Sequence, residues 1–146
     1  RPALLHGRVG WFHLPLDIEA MHAGAALLAG EQDFSAFRAA ECQARSPVKT
    51  LHRAEVLRQG DYIVFDFRAS AFLHHMVRNM VGALVYVGKG AHPPEWIAEL
   101  IAGRDRRLAA PTFSPSGLYL SGVEYDACWQ LPMNGRIIAP FDPPAF

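Results

Sequence analysis

Cysteine is scarce in this sequence. Only Cys42 and Cys128 occur among 146 residues, too few for a disulfide framework and without the paired spacing of a zinc site. Net charge is lacking as well: fourteen Lys/Arg balance fourteen Asp/Glu, which argues against a chain that holds nucleic acid by bulk charge. The longest apolar run, Met80 to Gly88, falls far short of the roughly 20 residues that span a bilayer. No signal peptide, His-Glu-x-x-His helix or Gly-rich phosphate loop is present, and Ser114-Pro115-Ser116-Gly117 lacks the spacing of a nucleophile elbow. These absences lead us to expect a soluble protein of a reducing, cytoplasmic compartment, with no membrane segment and no bound metal. The chain opens on Arg1 rather than methionine, so a piece of a longer protein is expected.

What is present is a chain that is 51% hydrophobic, enough for one core and too short for two comfortable domains. Residues 1 to 146 are therefore read as a single domain. Its charge is divided: residues 38 to 107 hold eleven Lys/Arg against seven Asp/Glu, and the flanks hold three against seven. A basic centre between acidic ends can still meet phosphate locally.

Taken in order, Asp17 caps an amphipathic helix carrying Ile18, Met21, Ala25 and Leu28, which Gly30 is expected to end. Periodicity does not decide the type of residues 34 to 42. From Val48, strict alternation predicts a strand with Val48, Thr50, His52, Ala54 and Val56 on one face and Lys49, Leu51, Arg53, Glu55 and Leu57 on the other. Gln59-Gly60-Asp61 turns it into a second strand, Tyr62 to Arg68, with Ile63, Phe65 and Phe67 inward, so an antiparallel hairpin is expected.

A long helix is predicted next, from about Ala71 to Val87 and stopping at Gly88 or Gly90. At about 100° per residue, Leu73, Met76, Val77, Met80, Val81 and Leu84 share one apolar stripe, with Arg78 at its border and His74 one turn earlier beside it. Pro93-Pro94-Glu95 opens another helix, buried through Trp96, Ile97, Leu100 and Ile101 and closed by Gly103. Arg104 to Pro111 reads as a basic, solvated loop, Gly117 to Tyr125 as a last strand, and 132–146 as an irregular Pro-rich tail. This order predicts an α+β domain, largely antiparallel, with helices gathered on one face of the sheet.

Three stretches together resemble a known family: Phe37-Arg38-Ala39 with Cys42-Gln43-Ala44-Arg45-Ser46-Pro47-Val48-Lys49-Thr50, then Ala69 through Gly82 around His74-His75-Met76-Val77-Arg78-Asn79, then Gly117-Leu118-Tyr119-Leu120. They are similar, in this order, to the carboxy-terminal half of the bacterial tRNA pseudouridine synthase A (TruA) family, from about Leu16 to Tyr125. The resemblance implies a pseudouridine synthase-like fold and a homodimeric enzyme that isomerises uridine to pseudouridine in the anticodon stem-loop of tRNA, without cofactor or metal. It implies further that the nucleophilic aspartate sits in a Gly-Arg-Thr-Asp-like motif upstream of the matched region. This sequence contains no such motif, so the fragment alone is expected to be inactive.

By the same resemblance, Arg78 matches the arginine that pairs with that aspartate, and Leu118 an apolar wall of the uracil pocket. A guanidinium beside an aspartate favours the ionised carboxylate and directs it through paired hydrogen bonds, a fork that lysine lacks. Arg38, Arg45 and Lys49 are then expected phosphate contacts, because such RNA is held mainly through shape and backbone. Taken without the resemblance, Arg78 is a helix-border arginine of the kind that merely solvates an edge, and Leu118 an ordinary strand residue. His74 and His75 are assigned to packing or helix-edge hydrogen bonding, and both cysteines to inert positions. The expectation of a different class is a stand-alone RNA-binding or dimerisation module.

Overall fold

In a computed structural model, residues 3 to 132 are described. The tail expected over 132–146 lies outside the described residues, save Pro132. The elements are α1 (Ile18–Ala26), β1 (Gly30–Asp33), β2 (Val48–Gln59), β3 (Tyr62–Ala69), α2 (Met76–Gly88) and α3 (Trp96–Gly103), with single 3-10 turns at Ser35–Phe37, Arg106–Leu108 and Ala127–Trp129. The three strands form one antiparallel sheet in the order β1-β2-β3, and the fold is α+β as expected.

Asp17 caps α1 by accepting the Ala20 N–H on Oδ1 at 3.0 Å, which satisfies one of the donors a helix start leaves open. The helix ends earlier than expected, at Ala26 with Leu27 as its cap. Gly30 does not stop it: at φ +94°, a conformation that glycine adopts without steric cost, it turns the chain into β1. That strand was not foreseen because its residues, Gly-Glu-Gln-Asp, carry no apolar alternation. It exists through its ladder with β2, Gly30 opposite Leu51 and Asp33 opposite Val48.

The β2-β3 hairpin forms around Gly60 with Gln59 opposite Tyr62. One assumption about β2 is overturned. Leu51 pairs with Ala69 and Arg53 with Arg68, so β2 spends two residues where β3 spends one. This bulge reverses the alternation. Leu51 (1% exposed) and Val56 (2%) therefore both face the core although they are five positions apart, while Val48 and His52 face solvent. In β3, Ile63, Phe65 and Phe67 pack against the core as expected.

α1 is the helix in closest contact with the sheet, and it also packs on α2 and α3. Met21, Phe34, Phe37, Met80, Leu84 and Ile97 are among the large side chains fully buried between these layers. α3 starts directly after Pro93-Pro94-Glu95, buries Ile97 and Leu100, and ends on Gly103.

Two further expectations are corrected. α2 begins at Met76, not near residue 71, because His75 adopts a left-handed conformation (φ 59°) that a continuous right-handed helix does not admit. Leu73 is nevertheless buried, so the apolar stripe reports burial across a turn and a helix rather than one helix. His74 stands outside the helix instead of one turn below Arg78. The second correction concerns residues 117 to 125, which form no strand: they pair with no strand among the described residues, and Leu120 is 79% exposed. Apolar alternation alone does not make a strand when no neighbouring edge supplies the ladder.

Candidate functional site

The N-terminal half of α2 presents Arg78, Asn79 and Gly82 to one partner, the segment 110–113. At Gly82 a β-carbon would collide with the Pro111 carbonyl oxygen, so only glycine allows the segment to lie this close to the helix. Arg78 and Phe113 exchange two hydrogen bonds. The Arg78 Nε–H donates to the Phe113 carbonyl at 2.8 Å, and the Phe113 N–H donates to the Arg78 carbonyl at 3.2 Å.

Asn79 is the one fully buried polar side chain among the described residues. Its Nδ2 donates to the Phe37 carbonyl at 2.7 Å, and its Oδ1 accepts from Arg106 Nη2 at 3.0 Å and from Thr112 Oγ1 at 2.7 Å. Every bond is to a different part of the chain. Buried amides are retained where their hydrogen bonds are filled, and this one ties α2 to the 3-10 turn at Ser35–Phe37 and to the segment before Phe113.

Arg106 is not the solvated loop residue expected from sequence. It is part-buried; its Nη1 donates to the Ala110 carbonyl at 2.9 Å and its Nη2 to Thr112 Oγ1 at 3.0 Å as well as to Asn79. Desolvation holds its pKa below the ordinary guanidinium value. Arg107 does follow expectation: it is exposed and paired at 2.7 Å with Asp105, and its guanidinium pulls the Asp105 carboxyl down to about 2. Arg104, also exposed, approaches Asp33 at 3.5 Å.

The arrangement leaves Arg78 with one edge used. Its Nε is committed to Phe113, and no carboxylate among the described residues lies within ion-pair distance of the guanidinium. The side chain is half-buried. An anion approaching here meets a fork whose direction is already set.

The other expected residues are distributed as follows. Arg38 spends Nη2 on the carbonyls of Cys42 (2.8 Å) and Ala44 (2.6 Å), so it shapes the loop that carries Arg45. That loop is joined to the α2 start: the Ala39 N–H donates to the His74 carbonyl at 3.1 Å, and the His74 N–H to Cys42 Sγ at 3.4 Å. Arg45 is exposed, and Lys49 is half-buried on β2 opposite Gln32. Leu118 is 48% exposed, five residues beyond Phe113. No hydrogen bond joins it to Arg78 among the described residues; Phe113 is the link in the chain between them. A cleft between residues 5–11 and Ser114 and Ser116 holds neither Arg78 nor Leu118.

The two histidine rings stack on each other at 4.0 Å, with His74 exposed and His75 half-buried. Desolvation, followed by the charges of His74 and Arg78 and opposed by Glu41, holds His75 below the ordinary imidazole value. The N–H groups of Ala44 and His74, with the Arg38 guanidinium, pull the Cys42 thiol below the ordinary value, while Cys128, beside the Asp126 carboxylate, is pushed up.

Asn79, Gly82, Arg106, Thr112 and Phe113 carry this geometry; Asn79 and Gly82 fall within the motif around Arg78 and Arg106 within the basic loop, but none was assigned a role at the site from sequence. An amide on the apolar side of a helix was the available signal for Asn79. For the other four the signal is the fold itself.

No helix of the described residues is long and apolar enough to cross a membrane. The family model for tRNA pseudouridine synthase matches residues 25–126. Among the most similar relatives are proteins named tRNA pseudouridine synthase A. That of Aromatoleum aromaticum is 68% identical over 138 residues, covering 94% of this chain and 52% of the relative. That of Methylobacillus flagellatus is 66% identical over 135 residues, covering 92% and 52%, and that of Dechloromonas aromatica 63% over 132 residues, covering 90% and 50%. The chain thus spans about half the length of the curated relatives it matches. With the α+β fold and the matched stretch covering both the α2 motif and Leu118, the chain belongs to the tRNA pseudouridine synthase family.

Proposed function

We propose that this chain is the carboxy-terminal half of a tRNA pseudouridine synthase A that isomerises uridine to pseudouridine in the anticodon stem-loop. The observation that carries the reading is the state of Arg78: fixed through Nε to Phe113, half-buried, and without a carboxylate partner among the described residues. The partner is the nucleophilic aspartate of the other half of the protein, which the fork of Arg78 keeps ionised and aimed. A uridine in a stem or stacked loop must leave the stack before its glycosidic bond is attacked, and an apolar wall such as Leu118 receives the flipped base. Arg45 and Lys49 meet RNA phosphates, while Arg38 contributes mainly by holding the loop on which Arg45 stands. The enzyme works in the cytoplasm as a homodimer, with no cofactor or metal.

Tritium release from tRNA carrying 5-tritiated uridine tests this. The reaction replaces the C5–H bond with a C5–C1′ bond, so turnover frees the label. The full-length protein is expected to release it, and residues 1 to 146 alone are not. Release by the fragment alone contradicts the assignment of the nucleophile to the other half.

A further inference from the structure

Arg106 is part-buried with no carboxylate within ion-pair distance among the described residues, yet its guanidinium makes three bonds to neutral acceptors. A charged group desolvated this way is costly unless its geometry is needed, and the geometry here is specific. Nη2 reaches both Asn79 on α2 and Thr112 on the crossing segment, and Nη1 reaches Ala110 on that segment. The next residue along that segment is Phe113, whose carbonyl receives Arg78 Nε. We propose that Arg106 is a positioning residue for Arg78: by clamping residues 110–112 onto Asn79 it fixes the Phe113 carbonyl, and so determines which edge of the Arg78 guanidinium is free for a carboxylate.

A guanidinium can meet a carboxylate side-on, through Nε and one Nη, or end-on, through both Nη atoms. With Nε occupied by Phe113, the end-on fork remains. Releasing Phe113 frees Nε, lets the guanidinium rotate, and opens a side-on mode that aims the carboxylate elsewhere. Misdirection of this kind costs rate rather than binding, since only the geometry of the reacting pair changes. Lysine at position 106 supplies one ammonium where the fork spans three acceptors on two elements.

The inference rests on the reading of Arg78 as the carboxylate's partner, and the test separates the two. In the full-length protein, Arg106→Met, Arg106→Lys and Thr112→Val are each measured alone and combined with Arg78→Lys, for single-turnover rate and tRNA affinity. Arg106→Met is expected to slow the single-turnover rate about tenfold with tRNA affinity changed less than about twofold, and Arg106→Lys to restore only part. Combined with Arg78→Lys, neither is expected to slow the enzyme further, because the effect passes through Arg78. Losses that multiply in the double variants overturn the proposal while leaving Arg78's role intact. Full activity of Arg78→Lys alone overturns the reading of Arg78 and this inference with it. If Arg106→Met does not fold, Thr112→Val, which removes one of the clamp's acceptors at an exposed position, carries the same comparison at smaller amplitude.

Discussion

Replacing Asn79 with leucine removes the only fully buried polar side chain of the described residues while nearly keeping its volume. Three bonds go with it, and they are not equivalent. The Phe37 carbonyl loses its 2.7 Å donor inside the core, where an unsatisfied acceptor costs about 1–3 kcal/mol. Arg106 loses one of its acceptors but keeps Ala110 and Thr112; a lost bond to a charged donor is worth roughly 1.5–3 kcal/mol, and the retained pair recovers part of it. Thr112 is exposed, so water replaces its partner at little cost. Extra apolar burial by leucine offsets a fraction of the sum, which leaves a net loss of about 2–4 kcal/mol. Urea denaturation of the chain followed by circular dichroism measures this as a fall in midpoint at unchanged slope. A loss below about 0.5 kcal/mol, the size of an ordinary surface substitution, would refute the claim that Asn79 is the tie between α2, the Phe37 turn and the crossing segment.

Gly82→Ala is expected to displace residues 110–113, since the new methyl group meets the Pro111 carbonyl oxygen; loss of slow exchange at the Phe113 amide, with a destabilisation of about 1–3 kcal/mol, reports it, and unchanged exchange argues against the close approach. The Asp105 carboxyl, held at about 2 by Arg107, favours the folded state above its unfolded value, and this contribution fades as pH falls through the folded value. An NMR titration should place its midpoint near 2, and Asp105→Asn should remove that acid-limb dependence. The thiols should separate, with Cys42 alkylated at lower pH than Cys128; coincident pH profiles in the two single-cysteine variants would contradict the electrostatics of the 38–44 loop.

How much of this was legible in the sequence differs by element. Asp17, the Gly60 turn, Pro93-Pro94-Glu95 and Gly103 declare their boundaries through local backbone chemistry, and the structure honours them. The β2 bulge, strand β1 and the break at His75 do not declare themselves. Each depends on pairing or backbone handedness imposed from elsewhere in the chain, which hydrophobic period cannot register. Gly117 to Tyr125 fails in the opposite sense: its pattern is that of a strand, but no edge among the described residues receives it. At the candidate site, the motif around Arg78 was visible, whereas the residues that orient it lie 27 to 35 positions from their partners: Arg106 and Thr112 bond to Asn79, and Phe113 to Arg78. Only folding brings them to one face of α2.

The central claim is that Arg78 holds a carboxylate for chemistry rather than a phosphate for binding. Arg78→Lys in the full-length protein, assayed for both tritium release and tRNA affinity, tests it most directly. Lysine keeps the charge and loses the fork. The account predicts a fall in single-turnover rate of about a hundredfold or more, on the scale of losing a preorganised charge-assisted contact, with tRNA affinity nearly unchanged. Equal losses in rate and affinity would make Arg78 a phosphate contact and contradict the account.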